Sequence, residues 1–229
     1  MRVPRSLKPE VVTTCLAVVL GLAAYVWVFD LALALASHPF WRNPPNDMTV
    51  MTGGFEAFLK TPWAWPPTVV SGLAPAPFSI VFADSIPWLA LLLKGLGLGE
   101  SVSLLGVFLL ASYPLQALGM LAVLRALGVE RPAPQLLGVA LALLFPAWLG
   151  RQYGHIALSG HWILLFSLAV SVGAIRWGLT WRRIGAFAGL AALATGIHAY
   201  HLVPIAAVFA AALLSELLQR RSGAWVRVL

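Results

Sequence analysis

Charge is the scarcest property of this sequence. Only 10% of its 229 residues are charged, and eight are Asp or Glu. A soluble domain carries about 25% charged residues. With 60% hydrophobic residues, a water-soluble fold of this length would lack the polar surface to cover its exterior. Cysteine is nearly absent as well. Cys15 is the only one, which excludes a disulfide, a cysteine zinc site or an iron–sulfur cluster within the chain. No nucleophile elbow or His-Glu-x-x-His motif is present. Gly53-Gly54 lacks the Lys and Ser/Thr of a phosphate loop, which argues against direct nucleotide use.

What the sequence does have is apolar runs near twenty residues, the length that crosses a hydrocarbon core of about 30 Å. The fold class expected is all-α: a polytopic transmembrane bundle of about six spanning helices plus a membrane-lying helix, in a single domain over 1–229. The net charge of +7 does not point to nucleic acid. The basic residues stand at the ends of apolar runs, where they set topology, and no basic face with interleaved aromatics is present. The first run is too long for a signal-peptide core and is read as a retained helix.

Arg2, Arg5 and Lys8 precede that run and place the N-terminus in the cytoplasm. Helix 1 is expected over Val11–Ala36, crossing outward. The segment Ser37–Val81 holds eight prolines, too many for a long straight helix. Trp41, Trp63 and Trp65 suit a membrane–water boundary. One short helix fits between the prolines, Asp47–Lys60. Phe82–Leu98 is apolar but short, and a non-crossing segment there leaves every later basic cluster inside. Residues 37–98 therefore read as an outer loop with interfacial or re-entrant helices. Spanning helices follow over Ser101–Leu127, Gln135–Leu149, Ile156–Trp177, Ile184–Ala199 and Leu202–Leu218. Arg125, Arg131, Arg176, Arg182, Arg183, Arg220, Arg221 and Arg227 then lie inside.

This topology gathers Asp47, Glu56, Asp84, Arg151, His155, His161, His198 and His201 at the outer face or just beneath it. Asp47 could serve as a general base or a metal ligand, or could simply cap a helix. Asp84 could cap a helix beginning near Ile86, with Pro87 in its first turn, or serve catalysis or a metal. Glu56 sits in an amphipathic stretch, as a substrate contact or a solvated face. Arg151-Gln-Tyr-Gly-His-Ile-Ala-Leu-Ser-Gly-His-Trp is the densest polar motif. Arg151 offers a fork suited to phosphate, with Tyr153, His155 and His161 beside it as candidate substrate contacts. Ordinary interfacial anchoring explains the same residues equally well. His155 and Ser159 are placed on one helical face. His198 and His201, with no acid nearby in sequence, read as interfacial polar residues.

The order of these features resembles the N-terminal half of the GT-C superfamily, the membrane glycosyltransferases that use polyprenyl-phosphate sugars. The acid after helix 1 matches Asp47. Asp84-Ser-Ile-Pro-Trp-Leu-Ala-Leu-Leu-Leu-Lys resembles a loop leading into a membrane-lying helix. Gly150 to Trp162 resembles an outer turn of bacterial membrane proteins of this type. The resemblance implies sugar transfer from a polyprenyl-phosphate donor at the outer face of the bacterial inner membrane. Asp47 and Asp84 would be catalytic, Arg151 and His155 would hold the donor phosphate, and a divalent cation is the one cofactor class considered. Two departures stand out. Asn46, not a second acid, adjoins Asp47, and GT-C enzymes are usually much longer. The alternative is a non-catalytic accessory subunit of a larger membrane complex, its partners membrane lipids and other membrane chains. A transporter is disfavoured, because almost no acid falls at mid-membrane depth.

Overall fold

Helix α4 (Leu104–Ala126) is the axis on which three of the other helices pack. The computed structural model describes residues 8–72 and 76–221; Arg2, Arg5, Pro75 and Arg227, used above as topology or loop signals, lie outside them. Helices α1 (Pro9–Val28), α5 (Pro132–Leu143) and α7 (Trp162–Trp177) surround α4, and α8 (Trp181–Thr195) and α9 (Leu202–Arg221) pack beyond α7. The short α6 (Pro146–Arg151) continues α5. Helices α2 (Met48–Lys60) and α3 (Pro87–Gly95) form a layer over one end, with a two-residue antiparallel pair, Val69–Val70 and Phe78–Ser79, between them.

Five segments are long and apolar enough to cross a membrane: Pro9–Val28, Leu104–Ala126, Pro132–Arg151, Ile156–Trp177 and Ala199–Gln219. The chain has the features of a multi-pass membrane protein. The fifth expected span, Ile184–Ala199, is the 15-residue α8, about 22 Å long at 1.5 Å per residue and not among these five. It nonetheless runs from one end of the bundle to the other. Arg183 in its first turn bonds to the Trp177 and Gly178 carbonyls at the end of α7. At its far end the Gly196 carbonyl accepts from the Trp88 N–H in the covering layer.

Close approach of α1 to α4 is built on glycine. A Cβ on Gly21 would lie 2.7 Å from Pro114 Cα, and one on Gly106 would collide with the Leu33 carbonyl in the turn that follows α1. Small residues let membrane helices approach to backbone contact. Arginines close the opposite end. Arg125 donates to the Glu10 carbonyl and the Thr14 hydroxyl, and Arg176 donates to the Ala126 carbonyl at the C-terminus of α4. Cations there satisfy orphan carbonyls and complement the helix dipole.

Several expected boundaries move. Helix 1 ends at Val28, not Ala36, because the Asp30 carboxylate accepts from Ala32 N–H and opens a 3₁₀ turn, Leu31–Ala34. That turn joins the start of α4, where Ser103 N–H donates to the Ala34 carbonyl. Ser103 also caps α4, its Oγ accepting from Gly106 N–H, so the helix begins at Leu104 and not Ser101. The third expected helix is broken at Leu144–Phe145, where Pro146 lacks an N–H and restarts the helix as α6. Residues Ile156–Ser159 form a separate 3₁₀ turn before α7. Helix α3, with nine residues, is about 13 Å long. Its two flanks meet the same end of the bundle: Trp88 N–H donates to Gly196 O, and Ala36 N–H donates to Ser101 O.

Candidate functional site

Two aspartates from the covering layer meet two histidines from the bundle. His155 Nδ1 lies 2.8 Å from Asp47 Oδ2, and His198 Nε2 lies 3.2 Å from Asp84 Oδ1. All four side chains line one narrow cavity of about 10 Å³, with Met51, Ala157 and Leu158. The same four border a wider cleft of about 540 Å³, to which Arg151, Phe82, Tyr200 and Thr195 also contribute. A cleft of that size accommodates a small organic ligand.

Local backbone structure explains how Asp47 gets there. Asn46 takes a left-handed conformation, φ 54°, which Asn adopts more readily than most residues. Its amide donates to the Tyr153 carbonyl at 3.5 Å, tying this turn to the one that carries His155. The Asn beside Asp47 therefore has a structural reason to be there. Asp47 occupies the N-cap position of α2 but makes no capping hydrogen bond; its carboxylate turns to His155 instead.

Asp84 is positioned by a tighter device. Ser85 is fully buried, and its Oγ donates to the Met51 carbonyl of α2 at 2.8 Å. Gly54 makes room for it, since a Cβ there would lie 2.7 Å from Ser85 Oγ. Asp84 and Ile86, on either side, both have positive φ, 51° and 43°. For a β-branched residue such as Ile86 this is a strained conformation, at a cost of about 1–3 kcal/mol, and its complete burial holds it in place. The N-cap residue of α3 is Ile86, with no side-chain cap. Asp84 thus does not cap the helix; its carboxylate faces His198.

The bundle side is equally fixed. Trp148 is fully buried, and its Nε1–H donates to the Ser159 carbonyl at 2.7 Å, clamping α6 to the 156–159 turn next to His155. His201 Nε2 lies 3.1 Å from the Ala157 carbonyl and fastens the start of α9 to the same turn. Trp88 clamps α3 to the end of α8, its Nε1–H donating to the Ala192 carbonyl at 3.0 Å. Gly196 permits that approach, because a Cβ there would collide with the Trp88 indole.

The expected site residues separate into two groups. Asp47, Asp84, Arg151 and His155 come together at the cleft. Arg151 has no ion pair or side-chain hydrogen bond among the described residues, so its guanidinium is available. His161, Tyr153 and Glu56 do not line the cleft. His161 precedes α7 and is half-buried, and the Tyr153 ring is exposed and packs near Phe29. Glu56 lines a second groove on the other side of α2. The shared face expected for His155 and Ser159 does not form: the turn is 3₁₀, and the buried Ser159 hydroxyl donates to the Ile156 carbonyl. His198, read from sequence as having no acid partner, faces Asp84. Nothing local in the sequence signals that pairing, because the partners lie on distant segments that meet only when α3 docks on α8.

An Asp–His pair can orient an imidazole or hold a carboxylate ready to take a proton. No group of three or more His, Cys, Asp or Glu converges as a metal site among the described residues. The cleft thus offers two acid–histidine pairs, one unengaged guanidinium, and exposed aromatic groups in Phe82 and Tyr200. No curated protein and no solved structure matches the chain. A family model described as a domain of unknown function, DUF6311, matches residues 18–229, and the chain belongs to that family.

Proposed function

We propose that the chain is a GT-C-like membrane glycosyltransferase, taking a sugar from a polyprenyl-phosphate carrier at the outer face of a bacterial inner membrane. The observation that carries this reading is the pairing of Asp47 with His155 in the cleft that Arg151 borders. A carboxylate and an unengaged guanidinium in one cleft are what transfer from a phosphate-linked sugar needs. Six crossings are proposed, with the short α8 as the fifth and the N-terminus cytoplasmic. The arginine-rich end of the bundle then faces the cytoplasm, in accord with the positive-inside rule.

In this reading the acceptor hydroxyl attacks the anomeric carbon of the donor sugar. The bond from that carbon to the phosphate oxygen breaks, and its electron pair leaves with the polyprenyl phosphate. The hydroxyl proton passes to the Asp47 carboxylate, which needs hydrogen-bond reach of the acceptor. His155 holds that carboxylate in place. Arg151 binds the phosphate and stabilises the charge it gains on leaving. Asp84, held by His198, positions the acceptor. Phe82, 87% exposed at the cleft, offers an apolar surface to the isoprenoid chain.

The test is transfer of labelled sugar from a polyprenyl-phosphate donor in proteoliposomes. Transfer that is present in wild type and lost in Asp47→Ala supports the reading. Equal transfer in both overturns the role of Asp47. Absence of transfer from every donor, together with stoichiometric co-purification in a membrane complex, would favour the accessory-subunit reading. The wide apolar faces of α1 and α9, whose spans are only 22% and 17% buried, are where such a partner would pack in place of lipid.

A further inference from the structure

The groove that Glu56 faces is a second cavity, about 320 Å³, separate from the aspartate cleft. Its walls come from α2, from the loop before α4, and from the chain just after the 3₁₀ turn that follows α1. Three charged side chains line it: Glu56 and Lys60 from α2, and Glu100 from the loop. All three are exposed, and none forms an ion pair among the described residues. Glu56 and Lys60 are four residues apart on one helix, where such a pair ordinarily meets. Trp41 and Phe55 supply an aromatic wall, and Trp41 is held in place by an Nε1–H donated to the Leu33 carbonyl at 2.7 Å.

The groove therefore presents two carboxylates, one ammonium and an aromatic wall. An amine suits the carboxylates and the ring, through charge-assisted hydrogen bonds and cation–π attraction. An anionic group suits Lys60. At 320 Å³, the groove lies at the small end of ligand pockets. It also borders Ser103 and Leu104 at the start of one candidate span, close to the chain that leaves another. That places it at the depth of lipid headgroups, provided those segments cross.

We propose that this groove binds a phosphoethanolamine group, with its ammonium between Glu56 and Glu100 and its phosphate on Lys60. The group can arrive as the headgroup of phosphatidylethanolamine or as a free aminophosphate. This inference does not depend on the glycosyltransferase reading, because no residue of the aspartate cleft takes part.

The test is native mass spectrometry of the full chain released from nanodiscs of phosphatidylethanolamine, phosphatidylcholine or phosphatidylglycerol. Phosphatidylethanolamine should be retained at least about tenfold more than the other two, since trimethylation removes the N–H donors and glycerol lacks the cation. The double variant Glu56→Gln/Glu100→Gln should lose that preference while keeping its melting temperature, because both side chains are exposed. Soluble O-phosphoethanolamine distinguishes the sources. Displacement of lipid by it shows that the headgroup alone is recognised; retention of lipid against it assigns the site to the lipid. Equal retention of all three lipids, or a preference unchanged in the double variant, overturns the proposal.

Discussion

The Asp47 carboxylate stands 2.8 Å from the imidazole Nδ1 of His155, joining the first turn of the covering layer to the turn between α6 and α7. Both side chains are more than half or about half exposed, 58% and 50%. A pair in that setting contributes about 0–1 kcal/mol to stability. Asp47→Asn should therefore leave thermal unfolding within a few degrees of wild type, while lowering sugar transfer by about 10²-fold or more. Parallel melting curves and transfer rates check this. A large fall in melting temperature would instead make the pair a structural fastening.

The Asp84 position separates side-chain chemistry from backbone strain. Asn tolerates the left-handed conformation that this residue adopts, whereas Ala is penalised there by about 1–2 kcal/mol. Asp84→Asn should keep the fold and lose only the ionic contact to His198. Asp84→Ala should lose both, with the added destabilisation visible in denaturant unfolding. Equal stability of the two variants would show that the left-handed turn is not strained.

Gly196→Ala drives a methyl into the Trp88 indole. The indole is also anchored by its bond to Ala192, so it cannot move without cost. Overpacking of this kind costs about 1–3 kcal/mol, and it should displace α3 and with it Asp84. Combining it with Trp88→Ala should recover part of the loss, a non-additivity that a double-mutant cycle measures. Additive effects would mean that the two residues are not in contact.

Lys94 fastens the covering layer from within. Its ammonium donates to the Phe58 and Thr61 carbonyls, both at 2.6 Å, and lies 4.0 Å from the centre of the Phe58 ring. Hydrogen bonds to a charged group contribute about 1.5–3 kcal/mol. Lys94→Met should destabilise the chain by about that amount without touching the cleft residues. Unfolding free energies report it.

The proposed topology has its own test. In a Cys15→Ser background, Trp65→Cys should react with a membrane-impermeant maleimide added outside, and Arg182→Cys should not. Both positions are exposed in the structure. Reaction of the two from the same side would contradict the three crossings proposed between them.

Much of the helix plan is legible in the sequence because apolar runs and their basic ends are local signals. The breaks at Asp30 and Pro146 are legible only in part, since a capping carboxylate or a proline within an apolar run can end a helix or merely bend it. The site divides along the same line. Asp84 stands out as an acid among apolar residues, Asp47 as the acid of the proline-rich loop after helix 1, and Arg151 and His155 as parts of the densest polar motif. That Asp84 faces His198 depends on Trp88 docking against Gly196, a contact between segments with no local pattern to announce it. Glu56 shows the reverse: it lies in the helix that Asp47 precedes, yet the turn of α2 carries it to a different groove.

The most direct measurement of the central claim is a structure of the chain in lipid with a polyprenyl phosphate present. The account predicts an elongated lipid in the cleft, its phosphate against the Arg151 guanidinium and its first isoprene units along Phe82. An empty cleft, with the lipid bound elsewhere or not at all, would contradict it.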